Sequence, residues 1–136
     1  MDEDESLRRY GLHPTGTDLE EVRRVLRAHT RLERRAQGDG DTELMKLCCV
    51  QLFNAGNLED VLLIWRAKAA GMDAGCSIDI QLLCGGGLAE TKAHLSKQRL
   101  SEAAAALEQL NRCEAAGDFT YFSVDAQSAQ YAAYYM

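Results

Sequence analysis

Between Thr42 and Ala55 the chain reads Glu-Leu-Met-Lys-Leu-Cys-Cys-Val-Gln-Leu-Phe-Asn, apolar on nearly every side of a helical projection. A helix with one oily stripe can rest on a surface, whereas one that is oily all round must be enclosed by neighbours. This stretch therefore calls for a central helix with other elements packed about it. Gly56 ends it and Asn57 caps the next helix, whose expected inward stripe is Leu58, Val61, Leu62, Trp65 and Ala69, with Gly71 as the stop. Two helices joined this tightly form an antiparallel hairpin.

Helix signals recur along the rest of the chain and strand signals hardly occur. Thr17-Asp-Leu-Glu20 reads as a capping box opening a helix in which Leu19, Val22, Leu26, His29, Leu32 and Ala36 keep helical spacing. Gly38-Asp39-Gly40-Asp41 breaks that helix and reads as a flexible joint. Ser77 reads as a cap before Ile78 to Leu83, and the triplet Gly85-Gly86-Gly87 as a tight turn. Further helices are expected over Leu88–Lys97, from Ser101 to Gly117, and from a Ser123 cap toward Tyr135. The fold class implied is all-α, with stacked antiparallel helical hairpins forming a short α-solenoid or an irregular helical bundle. Residues 1–16 read as an acidic tail and loop, a candidate for disorder, and 17–136 as a single all-α domain.

Composition narrows the class. With 136 residues, 46% hydrophobic and one proline, the chain has the apolar content of one folded domain, and neither collagen-like nor wholly disordered. Apolar runs such as Val61 to Trp65 fall far short of the roughly 20 residues that cross a bilayer. Met1 to Ser6 is acidic where a secretory signal would be basic and then apolar. Five cysteines, none in a C-x-x-C pair and three of them (Cys48, Cys49, Cys84) inside apolar runs, suggest buried reduced thiols and a cytoplasmic setting. The net charge is -6, of which residues 41–136 carry -5. A field of that sign repels phosphate backbones at long range, which disfavours general nucleic-acid binding.

A weak internal repeat aligns Val50-Gln-Leu-Phe-Asn-Ala-Gly-Asn-Leu with Ile80-Gln-Leu-Leu-Cys-Gly-Gly-Gly-Leu at an offset of 30, and a competing register of 42 relates Asn57-Leu-Glu-Asp to Arg99-Leu-Ser-Glu. The stretch Leu52-Phe-Asn-Ala-Gly-Asn-Leu-Glu-Asp-Val-Leu-Leu-Ile-Trp65 resembles the turn and second helix of a tetratricopeptide-type repeat, over about residues 42–71. The resemblance implies a hairpin-stacking fold and a habit of binding other proteins, and no catalytic residues.

Residue chemistry points the same way. Arg23, Arg24, Arg27, Arg31, Arg34 and Arg35 fall largely on one helical surface that could grip an acidic partner or phosphates, yet Glu20, Glu21 and Glu33 sit within the same turns and can pair with them. Adjacent Cys48 and Cys49 point about 100° apart on a helix and do not prepare a zinc site. Cys76, in a polar loop, is the thiol best placed for reactivity, and His13, His29 and His94 lie in unrelated settings. The glycine triplet lacks the Gly-Lys-Ser/Thr of a phosphate loop. Six of nine aromatics crowd into the last eighteen residues, where Tyr131, Tyr134 and Tyr135 can share a helix face as a docking surface or as a cap on the helical stack.

The expectation is a non-enzymatic protein-binding module without cofactor or metal. Its acidic edges are Asp41, Glu43, Glu59, Asp60, Asp73 and Asp79, and its other candidate contacts are Arg23, Arg27, Arg31, Tyr131, Tyr134 and Tyr135. One form is an acidic immunity-type inhibitor of a basic partner. The alternatives are a small enzyme or ligand-binding protein with a pocket between hairpins, using Cys76 or His94, and a structural oligomerisation module held by the tyrosine-rich helix.

Overall fold

Ten short elements, all helical, account for the regular structure of the chain, described over residues 1–136 in a computed structural model. Eight are α-helices: α1 (Glu3–Tyr10), α2 (Gly16–Arg35), α3 (Thr42–Ala55), α4 (Val61–Lys68), α5 (Met72–Ser77), α6 (Leu88–Ser96), α7 (Ser101–Ala115) and α8 (Val124–Tyr134). Two 3-10 turns, Leu58–Asp60 and Ile80–Cys84, complete the set, and there is no strand. The protein is an all-α bundle.

Helix α3 is the axis of the fold. Its residues from Leu44 to Phe53 are buried except Lys46, as an all-round apolar helix requires. Its main neighbour is α2, and α1, α5, α8 and the second 3-10 turn close the remaining sides. Contacts with elements far apart in sequence make this the irregular bundle of the two arrangements expected, since in a solenoid each repeat meets only its neighbours. One cluster of 27 buried residues runs through the whole.

Several boundaries differ from the sequence reading. Helix α2 begins two residues earlier than a Thr17 cap implies, at Gly16 behind Thr15 with Thr17 inside the helix, and neither Thr15 nor Asn57 makes a side-chain cap. Ser77 closes α5 rather than opening a helix, and Gly71 precedes α5 rather than ending α4. The following segment winds as a 3-10 turn, Ile80–Cys84, with Ile80, Leu82, Leu83 and Cys84 buried. In α4 the inward residues are Val61, Leu63, Ile64 and Ala67, while Leu58, Leu62 and Trp65 are only partly covered. The leading 3-10 turn rotates the helix, so of a stripe counted at α spacing from Leu58 only Val61 is fully buried, and Ala69 is exposed.

Residues 1–16 are not a loose tail. Asp2 accepts the Glu5 N–H at 2.9 Å and starts α1, whose Ser6 is buried. The buried Gln51 of α3 donates to the Gly11 carbonyl at 2.8 Å, and Asn54 donates to the Leu12 carbonyl at 2.8 Å. Ser128 of α8 in turn donates to Asn54 Oδ1 at 2.8 Å. These polar side chains on an apolar helix stitch both ends of the chain to its centre, because a buried amide must find partners.

The Gly38–Asp41 segment, read as a joint, is likewise tied down. Buried Glu33 accepts the N–H groups of Gly38 and Gly40 at 2.9 and 3.1 Å, and His29 Nδ1 accepts the Asp41 N–H at 3.1 Å. At the other end of α3, Gly56 takes the left-handed conformation (φ 71°) and its N–H bonds back to Leu52 and Phe53. The glycine triplet packs directly here: a Cβ on Gly85 would stand 2.3 Å from the Phe53 carbonyl oxygen. The two segments of the offset-30 repeat thus meet at their glycines, although one ends an α-helix and the other a 3-10 turn.

Charged side chains tie helices together. Arg23 of α2 donates through Nε and Nη2 to both oxygens of Asp60 at 2.8 and 2.9 Å. The two side chains are only 13% and 6% exposed, so this pair is internal. Arg66 of α4 pairs with Glu102 of α7, and Lys92 of α6 with Glu114 of α7 at 2.6 Å. Half-buried Lys68 donates to the carbonyls of Gly75 and Ile78, satisfying the end of α5, and burial pushes its pKa down. Removing one partner of a buried pair strands the other charge. Asp60→Asn is expected to cost about 3 kcal/mol, read as a lower urea midpoint at unchanged slope, whereas neutralising exposed Glu20 shifts stability by less than about 0.5 kcal/mol.

Candidate functional site

The sequence-selected residues separate into an internal group and an exposed one. Arg23 and Asp60 consume each other, with Glu20 pairing Arg23 from the outside. Tyr131 is buried, its ring 6.3 Å from Phe53 in an edge-on contact, and its hydroxyl donates to Asp79. Burial first, and the Asp79 carboxylate second, push the Tyr131 pKa far up. These four residues therefore hold the fold together. Glu59 and Asp73 are exposed and stand apart on the first 3-10 turn and on α5. Arg27 and Arg31 are exposed on α2, where they share a hollow with Arg34 and with Arg66 of α4.

The remaining candidates converge at one end of the bundle. Helices α1 and α3 start side by side, and the end of α8 packs against α3 beside them. Asp41 caps α3 by accepting the Leu44 N–H at 3.1 Å, and Glu43 occupies its first turn. Glu3, Asp4 and Glu5 occupy the first turn of α1. Each acid suits its own helix dipole. Brought together, they repel: partial burial and then the carboxylates of Glu43, Asp4 and Asp41 raise the Glu3 pKa.

Tyrosines border this cluster. The Tyr134 ring is 66% exposed and meets Tyr135 edge-on at 4.8 Å. Lys46 Nζ lies 5.0 Å from the Tyr134 ring centroid. The Tyr135 hydroxyl is buried without a hydrogen-bond partner, and burial followed by the charge of Glu3 raises its pKa. Tyr131, Tyr134 and Tyr135 thus do not share one exposed face: the first anchors the helix, and the other two form the rim of the acidic end. Sequence reasoning passed over Glu3 and Asp4 by treating residues 1–16 as tail. The signal was present in Asp2 and Glu5, which have the three-residue spacing of a capping box.

The thiols and histidines stay apart. Cys48, Cys49 and Cys84 are buried, and burial pushes Cys48 and Cys84 up to about 12. Cys76 is exposed, at the end of α5, and makes no hydrogen bond with a histidine. His29 is engaged with the Asp41 backbone, and His94 is partly exposed on α6. No group of three or more His, Cys, Asp or Glu side chains is placed to hold a metal ion, and no helix is long and apolar enough to cross a membrane.

No protein-family model, curated protein or solved structure matches this chain. The chemistry of the surface is therefore the guide to function. For the thiols, a colorimetric disulfide reagent at neutral pH is expected to modify Cys76 rapidly and Cys113 slowly. Cys48, Cys49 and Cys84 should react only on unfolding, because buried thiols with raised pKa values supply almost no thiolate.

Proposed function

We propose that this protein is a non-enzymatic binding module for a basic protein partner, and that its docking face is the acidic end built by Glu3, Asp4, Asp41 and Glu43 with Tyr134 and Tyr135 at its rim. The observation that carries the reading is the convergence of two acidic helix starts beside the exposed Tyr134 and the partly buried Tyr135. Repulsion of Glu3 by the neighbouring carboxylates works against the isolated fold, and a cationic surface laid over them offsets it. Tyrosine at the edge of a charged patch supplies the apolar contact area that pure charge lacks. An immunity-type inhibitor that meets a basic toxin is one form of such a module, since opposite charge raises the association rate of a small antidote.

The pH dependence has a definite sign. A carboxyl whose folded-state pKa lies above its unfolded value binds its proton more tightly in the folded state, so its contribution stabilises at low pH and is lost as pH rises through the folded pKa. Glu3→Gln should therefore remove a small loss of stability of the free protein across that range, followed by thermal unfolding from about pH 4 to 7 at low salt.

Binding should move the opposite way. A pull-down from the source cells, comparing the unmodified chain with the Glu3→Gln/Asp4→Asn/Glu43→Gln variant, is expected to recover a basic protein only with the former. The same protein, purified, should then bind at least about tenfold more weakly to the variant, with a salt dependence that flattens. A partner whose affinity is indifferent to these three substitutions overturns the assignment of the face.

A further inference from the structure

We infer that the hollow between α2 and α4 is a binding site for a phosphoryl group, in free phosphate or a phosphomonoester. Arg27, Arg31 and Arg34 follow one another at steps of four and three along α2, and Arg66 approaches from α4. With Leu63 and Thr30 they enclose a hollow of about 150 Å³. It lies on the arginine-bearing face of the bundle, and the inference does not depend on the acidic docking end.

Two independent features point to a ligand. First, Arg27, Arg31 and Arg34 make no ion pair, unlike Arg23 and Arg24 in the same helix, which are paired with Asp60, Glu20 and Glu21. Glu102, bound to Arg66 and lowered in pKa chiefly by that hydrogen bond, is the one carboxylate engaged at the rim. Four guanidinium groups against one carboxylate leave an uncompensated positive site on a protein whose net charge is -6. Second, Thr30 is 6% exposed and its hydroxyl has no hydrogen-bond partner. Of the four buried side-chain oxygens without a partner, Thr30 Oγ1 is the one whose residue lines this hollow.

The geometry selects the class of anion. A planar carboxylate is satisfied by one guanidinium fork, whereas donors arriving from two helices and from a hydroxyl suit the several oxygens of a tetrahedral dianion. The long arginine side chains can turn inward from solvent onto such a group. The volume admits a phosphoryl group but is well below the roughly 300 Å³ at which pockets for larger organic ligands begin. A polyanionic backbone is disfavoured, since the net field of the chain opposes extended phosphates while a single buried group feels mainly the local arginines.

The test is thermal unfolding and calorimetry of the full chain at matched ionic strength with sodium chloride, acetate, inorganic phosphate or O-phosphoserine. Phosphate is expected to raise Tm saturably, by about 4 °C at about ten times its dissociation constant, with acetate no better than chloride. Arg27→Gln/Arg31→Gln, both at exposed positions, should abolish the shift. Thr30→Val should weaken binding about tenfold, and Thr30→Ser should restore it. Tighter binding of O-phosphoserine than of phosphate assigns the site to phosphorylated side chains or metabolites, and the reverse order assigns it to the free ion. Absence of a phosphate-specific shift, or one that persists in the double arginine variant, overturns the inference.

Discussion

Enclosure of α3 is the constraint on which the rest of the structure depends. Its backbone hydrogen bonds are internal, so it can be buried along its length, but only if apolar side chains from other elements fill the space on every side. Leu19, Val22, Val25 and Leu26 of α2 line the core with it, Ala74 of α5 and the 3-10 residues Leu82 to Cys84 join them, and Tyr131 of α8 closes over Phe53. Two polar residues of α3 reach both ends of the chain: Gln51 donates to the Gly11 carbonyl, and Asn54 donates to the Leu12 carbonyl and accepts from Ser128 of α8. The central helix thereby ties α1 and α8 to the core.

Once the core is assembled, the charged residues divide by whether the packing offers them a counter-charge. Arg23 faces the start of α4 and finds Asp60, while Arg66 finds Glu102 across α7. Arg27, Arg31 and Arg34, a turn or more further along the same helix, find none. The acids divide in the same way. Asp41 caps α3 and Glu33 ties down the following glycine turn, but Glu3 and Glu43 are brought against each other by the adjacency of two helix starts. Surplus positive charge in the hollow and surplus negative charge at the helix starts lie on different parts of the surface.

Local patterning carried much of this into the sequence. The all-round apolarity of Thr42–Ala55, the Gly56 stop and the Ser123 cap, which accepts the Ala126 N–H at 3.0 Å, are each readable without a neighbour. What failed were inferences that assumed regular α spacing or judged a segment by its charge. The stripe from Leu58 was displaced by a 3-10 turn, the 80–84 segment wound more tightly than an α-helix, and the acidity of residues 2–5 concealed a helix held by the burial of Ser6 and the bonds from Gln51. Of the candidate surface residues, Arg23, Asp60, Asp79 and Tyr131 were chosen for their type, but each proved to have a partner remote in sequence. Thr30 and Glu3 gave no such signal, because a lone threonine in a helix and an acid near a terminus are ordinary.

By itself the sequence determined that the chain is all-α and that α3 lies at the centre, because helical periodicity and all-round apolarity are local properties of the chain. Only the tertiary structure decided which charges cancel and which remain. Ion pairing falls off within a few ångströms, and the separations that matter, Arg23 to Asp60, Tyr131 to Asp79 and Glu3 to Glu43, are set by how helices distant in sequence pack against one another.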